Sequence, residues 1–222
     1  VSLRALRVLR QVDLIAAEDT RRTRTLLARY GIATPTLSYF EHNKLRRGTE
    51  LVARLEAGEA IALVTDAGTP GVSDPGFHLV RLAREAGIPV VPIPGPSAVV
   101  TALSASGVPA DRFVFEGFLP ARPGRRRARL RALAALGRPV VLYESPHRVG
   151  ATLAAIGEVF GPVEVVLARE LTKQFEEFRR GQPAELLAGL PAGGVRGEVT
   201  LIVNPGAPAD RDEVEPAGQD ED

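Results

Sequence analysis

Residues 61–76 read IALVTDAGTPGVSDPG, an apolar run that breaks at Thr65 and Asp66 into a loop of glycines, prolines and small polar residues. Four apolar residues in succession suit a strand buried on both faces, as in a parallel sheet covered by helices. The segment closes on Asp74 and Pro75, an N-cap acceptor followed by a residue preset for the first helical position, so a helix is expected from Pro75 to Ala86. Strand, glycine-bearing loop and helix in that order form half of a βαβ unit. Loops at the carboxyl ends of such strands are where open α/β sheets bind small molecules.

The same alternation extends in both directions. Upstream lie the strand VDLIAAED, the helix TRRTRTLLARY closed by Gly31, the strand TLSYF and the helix TELVARLEA closed by Gly58. Downstream come an expected strand PVVPIP and a small-residue helix PSAVVTALSAS closed by Gly107. Strands alternating with helices, with glycine just past the helix ends, imply a mainly parallel, doubly wound sheet. A second α/β set follows the pause at GVPADR: RFVFEGF, a basic helix from about Gly124 to Leu136, PVVLYES, a helix from Pro146 to Val159, VEVVLAREL and EVTLIV. The pattern predicts two α/β domains, residues 1–108 and 109–206, and a disordered acidic tail over 207–222.

Composition narrows the chemistry. There is no cysteine, and the three histidines lie far apart without metal-ligand spacing, so neither thiol chemistry nor a metal site is signalled. Apolar runs are interrupted well before the roughly 20 residues that span a bilayer, and a cytoplasmic protein is expected. The net charge of +1 conceals an imbalance, because the stretch from Asp210 carries seven acids and one arginine, leaving +7 on residues 1–209. Residues 117–143 hold Arg122, Arg125, Arg126, Arg127, Arg129, Arg131 and Arg138 with no acid, a pattern suited to a polyanion or to a solvated helix face. No dinucleotide fingerprint, phosphate loop or nucleophile elbow is present.

Taken in order, AEDTRRT (17–23), EHN (41–43), LVTDAGTPGVSDPG, PGPSA (94–98), EGFLP (116–120), YESPHR (143–148), ARELTK (168–173) and GEVTLIV (197–203) resemble the ribosomal RNA small subunit methyltransferase I family of the tetrapyrrole methylase superfamily. The resemblance implies two α/β domains with S-adenosylmethionine in the cleft between them, and 2′-O-methylation of a cytidine in 16S ribosomal RNA. Carried over by position, Asp66, Ala67, Gly68, Thr69, Pro70, Ser73, Asp74 and Gly76 border the methionine end of the cofactor, with Pro94, Ser97 and Ala98 in the same wall. Tyr143, Ala168, Arg169 and Glu170 are the implied neighbours of its adenosine side. Family members usually begin with a strand and a GTPIGNL-like turn, and this first strand is missing before the helix that begins at Ser2 or Leu3.

A general base would assist as the hydroxyl proton leaves, and the candidates are His42, Glu18, Asp19 and Glu144. Each has a plainer alternative: Asp19 could cap the following helix, Glu144 could pair with Arg148, and His42 could hydrogen-bond a loop. Arg21, Arg122, Arg125, Arg126, Arg127, Arg129 and Lys173 are the expected RNA contacts. The expected partner is small-subunit ribosomal RNA or the 30S subunit, and a homodimer is left open. Two rival readings remain, a tetrapyrrole C-methyltransferase and a non-catalytic RNA-binding assembly factor.

Overall fold

The computed structural model describes residues 1–74 and 76–206; the expected first helical position of Pro75 and the acidic tail lie outside the described residues. The chain divides into two compact units, Val1–Ala98 and the residues from Val99 onward. No helix among the described residues is long and apolar enough to cross a membrane.

In the first unit, helix α1 (Leu3–Gln11), strand β1 (Leu14–Ala17), α2 (Thr20–Arg29), β2 (Thr36–Ser38), α3 (Lys44–Glu56), β3 (Ile61–Val64) and α4 (Gly76–Glu85) alternate along the chain. The strands form a parallel sheet in the order β2-β1-β3. Central β1, of sequence LIAA, is buried at every residue, and its side chains alternate between two cores. Ile15 and Ala17 meet Leu9 of α1 and Leu27 of α2, while Leu14 and Ala16 meet Tyr39, Leu51 of α3 and Leu79 of α4. This two-sided burial explains why the strand is an unbroken apolar run.

PVVPIP is not a strand. Pro89, Pro92 and Pro94 have no N–H to give a ladder, and Val90 and Val91 stand exposed. Strand β3 pairs only with β1, and its other edge carries no strand among the described residues.

The second unit contains α5 (Ala98–Ser106) from Val99 on, then β4 (Val114–Phe118), α6 (Pro123–Ala134), β5 (Val140–Glu144), α7 (Val149–Phe160), β6 (Glu164–Arg169), β7 (Glu177–Gly181), α8 (Pro183–Ala188) and β8 (Val199–Asn204). Its sheet runs β4-β5-β8-β6-β7, with only the β4/β5 pair parallel. The unit boundary falls ten residues before the expected 108/109. Val99, Ala102 and Leu103 of α5 pack on Val141, Val166 and Ile202 of the second sheet, so burial assigns that helix to the second unit. The opposite face is covered by α6, α7 and α8 through Leu130, Leu153, Ile156 and Leu186.

Candidate active site

The strand ends of the first unit gather three carboxylates. Glu18 Oε2 accepts from Thr65 Oγ1 at 2.6 Å and from the Asp66 amide at 3.1 Å, while Asp66 Oδ1 accepts from the Asp19 amide at 3.1 Å. Burial, and then the charge of Glu18, raises the Asp66 carboxyl above the usual aspartate range. Asp19 is the opposite case. It caps α2 by accepting from the Arg21 amide at 2.8 Å, and its hydrogen bonds from the Arg21 side chain and amide hold its carboxyl low. Asp19 is therefore a helix cap and a poor base, as its position before Thr20 allowed.

The loop leaving β3 is held by its own side chains. Asp74 Oδ1 accepts from the Gly71 amide at 2.8 Å and the Gly76 amide at 2.6 Å, whereas buried Oδ2 has no partner among the described residues. Gly68 and Gly71 have positive φ, and so does Ser73 at 60°, a costly conformation outside glycine that concentrates at functional sites. Thr69 Oγ1 donates to Pro96 O at 3.0 Å, joining this loop to the 94–98 turn. Asp66, Gly68, Thr69, Asp74 and the PGPSA segment thus form one surface. His42 stands exposed on the turn before α3, edge-on to Phe40, with no hydrogen bond among the described residues.

In the second unit the register separates residues that the motif had joined. Tyr143 and Ala168 both lie opposite Thr200, and Ala168 opposite Phe178, so these four form one row on the face toward α5. Tyr143 also meets Phe115 and Phe118 with ring centroids 5.0 and 5.8 Å away, and burial raises its hydroxyl pKa. Arg169 belongs to the next row, Glu144, Val199, Arg169 and Glu177, whose side chains take the other face. Arg169 donates to Glu177 at 2.8 Å, so its side chain is engaged on the face opposite to that of Ala168. Thr200 stands between Tyr143 and Ala168 in this row, a placement that only the strand register reveals.

Glu144 is no base. Its side chain is buried, accepts from Thr152 Oγ1 at 2.6 Å and the Ser145 amide at 2.7 Å, and pairs with Arg148 at 3.1 Å. Arg126 is likewise removed from the RNA set, being buried at 5% exposure with its guanidinium donating to Ala121 O and Thr152 Oγ1. Acids from other elements neutralise two more of the run: Arg129 is bidentate to Glu116 at 2.6 Å, and Arg127 lies 3.6 Å from Glu158. Arg122 and Arg125, with Arg131 and Arg138 further along, remain exposed and without an ion pair among the described residues. Lys173 is held by Glu170 and Glu198 at 2.8 and 3.1 Å, and Arg21 by Asp19, so neither is a free cation. Glu170 and Thr172 have positive φ, placing a strained turn at the end of β6.

The tetrapyrrole (corrin/porphyrin) methylase family model matches residues 1–187. A ribosomal RNA small subunit methyltransferase I of Escherichia coli O157:H7 is 51% identical over 206 residues, covering 91% of this chain and 72% of that protein. The protein of that name from Pseudomonas aeruginosa is 50% identical over 206 residues, covering 91% and 73%. The chain belongs to the ribosomal RNA small subunit methyltransferase I family of the tetrapyrrole methylases. Among solved structures, cobalt precorrin-4 methyltransferase is similar with a TM-score of 0.69 at 18% identity, covering 91% of this chain and 88% of that one, which shows the shared fold.

Proposed function

We propose that this protein methylates the 2′-hydroxyl of a cytidine in 16S ribosomal RNA, using S-adenosylmethionine, in the cytoplasm and on naked RNA or the 30S subunit. The observation that carries the reading is the identity of about half of all residues, across nine-tenths of the chain, to proteins named for methylation of small-subunit ribosomal RNA.

The residues present fit the cofactor. The loop after β3 offers left-handed backbone at Gly68, a carboxylate at Asp66 and, among the described residues, an unpartnered buried oxygen on Asp74. A side chain on Gly68 would meet only Pro96 O, at 3.9 Å, so the backbone there is open to a ligand. In the second unit, the Tyr143, Ala168 and Thr200 row, flanked by Phe115 and Phe118, is an apolar face suited to a flat ring. The adenine end is proposed for it.

When bound, this cofactor supplies an activated methyl group to an attacking oxygen. The protein's work is chiefly alignment, a contribution of roughly 7–11 kcal/mol when two reactants are held in attack geometry. His42, exposed and unengaged, is proposed to accept the hydroxyl proton, and Arg122 and Arg125 to hold phosphates.

Calorimetry with S-adenosylhomocysteine is expected to show one site per chain and no measurable binding to Gly68→Val. The added side chain meets little protein, but valine at a φ of 78° strains the backbone, so the melt is expected to fall somewhat and binding is measured well below the variant's own melting temperature. Tight binding by the variant would remove the loop from the cofactor site. Filter capture with radiolabelled S-adenosylmethionine separates the readings: label on small-subunit RNA supports the proposal, whereas label on a porphyrinogen, or RNA binding without label, rejects it.

A further inference from the structure

The face of β6 that carries Arg169 opens into a cavity of about 480 Å³, large enough for a nucleotide-sized ligand. Arg169 and Glu177 line it from paired positions on β6 and β7, Arg179 follows on β7, and Arg196 reaches it from the segment before β8. Leu190 and Pro191 supply apolar wall. Three guanidiniums against one carboxylate leave a net charge of +2.

Two of the guanidiniums are fixed in place. Arg169 Nη1 donates to Arg196 O at 3.3 Å in addition to its bond to Glu177, and Arg179 Nη1 donates to Gly189 O at 2.7 Å. Gly189 makes that last arrangement possible, since a Cβ there would overlap Arg179 Nη2. The other Arg179 nitrogens and the whole Arg196 guanidinium have no hydrogen-bond acceptor among the described residues. Planar forks held in this way match the oxygens of a phosphate. The site lies across the sheet from Tyr143, Ala168 and Thr200, so it is separate from the face proposed for adenine. It also does not include the Arg122 to Arg129 run.

We propose that this cavity binds a phosphodiester segment of the RNA substrate through Arg179 and Arg196, with Arg169 as its fixed wall. The proposal rests on the RNA reading above. It moves Arg169 from the cofactor to the RNA.

The test measures the salt dependence of 16S ribosomal RNA binding by the full chain and by Arg196→Gln and Arg179→Lys. Arg196 is exposed, so its replacement leaves folding unchanged, and lysine at 179 keeps the charge while losing the fork. The slope of log affinity against log salt is expected to flatten by about 0.7–0.9 in Arg196→Gln, which neutralises one phosphate fewer. Arg179→Lys should keep its slope but bind several-fold more weakly, and both variants should hold S-adenosylhomocysteine as the parent does. Unchanged RNA affinity and slope in both variants would overturn the proposal while leaving the RNA reading intact, provided the parent chain binds and methylates RNA. Failure of the parent itself to bind RNA would instead sink the reading and this site with it. Calorimetry with cytidine 5′-monophosphate and inorganic phosphate adds the remaining arm. Saturable binding of either that Arg196→Gln abolishes, with RNA binding unaltered, would assign the cavity to a free phosphate and also overturn the proposal.

Discussion

Replacing Glu144 with alanine is expected to destabilise the protein by about 3–5 kcal/mol, the usual consequence of removing one partner from a buried ion pair. The carboxylate is enclosed at the end of β5, where it faces Arg148 directly and Arg126 through Thr152. Without it, two arginines drawn from α6 and from the turn into α7 lose their counter-charge. A chain of this size should then melt lower by roughly 2–4 °C for each kcal/mol lost. Methylation measured well below the melting temperature should persist, because Glu144 takes no proton from the substrate. An alanine variant with parental melting and abolished activity would return Glu144 to the set of bases. Thr152→Val should show a smaller loss in the same direction, since it removes the hydroxyl bridge from Arg126 to Glu144 but leaves the Glu144–Arg148 pair.

Asp66→Asn is expected to separate stability from activity. The Asp66 carboxyl is raised by burial and by Glu18, so the native state holds this proton more tightly than the unfolded chain does. The sign follows from linkage: the contribution to stability falls as pH climbs from the ordinary aspartate value through the raised one, and above that range the ionised group is a net liability. Asparagine removes the liability and still offers an oxygen to the Asp19 amide. The pair to Arg22, at 3.5 Å with Arg22 largely exposed, adds little to offset this. At neutral pH the variant should therefore melt no lower than the parent, with the difference shrinking as pH falls below the raised pKa. Activity should drop by at least about tenfold, in keeping with the loss of a positioned charged group in the site. Lower stability together with full activity would remove Asp66 from the site and make it a scaffold residue.

The alternation of strands and helices in the first unit was legible because β1 and β3 are apolar runs and the glycines fall just past the helix ends. PVVPIP carried the right apolar content but too many prolines to pair. Strand β7 was not legible at all: EFRRG has polar residues on both faces and becomes a strand only through its ladder with β6. The basic run shows how sequence proximity misleads about charge. The run itself holds no acid, yet Glu116 and Glu144 at its two edges and Glu158 from α7 fold back onto its arginines, directly or through Thr152. Helical spacing could have exposed Arg126, which lies four residues before Leu130 and seven before Leu133, both buried on the same stripe. The strand motif ARELTK likewise placed Ala168 and Arg169 together, and only the pleat separates them.

Ribose methylation is distinguished from base methylation by treating small-subunit RNA with the protein and radiolabelled S-adenosylmethionine and then hydrolysing it with alkali. Cleavage requires a free 2′-hydroxyl, so ribose methylation leaves an alkali-stable dinucleotide. Label is expected in one such dinucleotide whose 5′ nucleoside is 2′-O-methylcytidine. Label released as a mononucleotide, which means a methylated base, or no label in RNA at all, would contradict the proposed reaction.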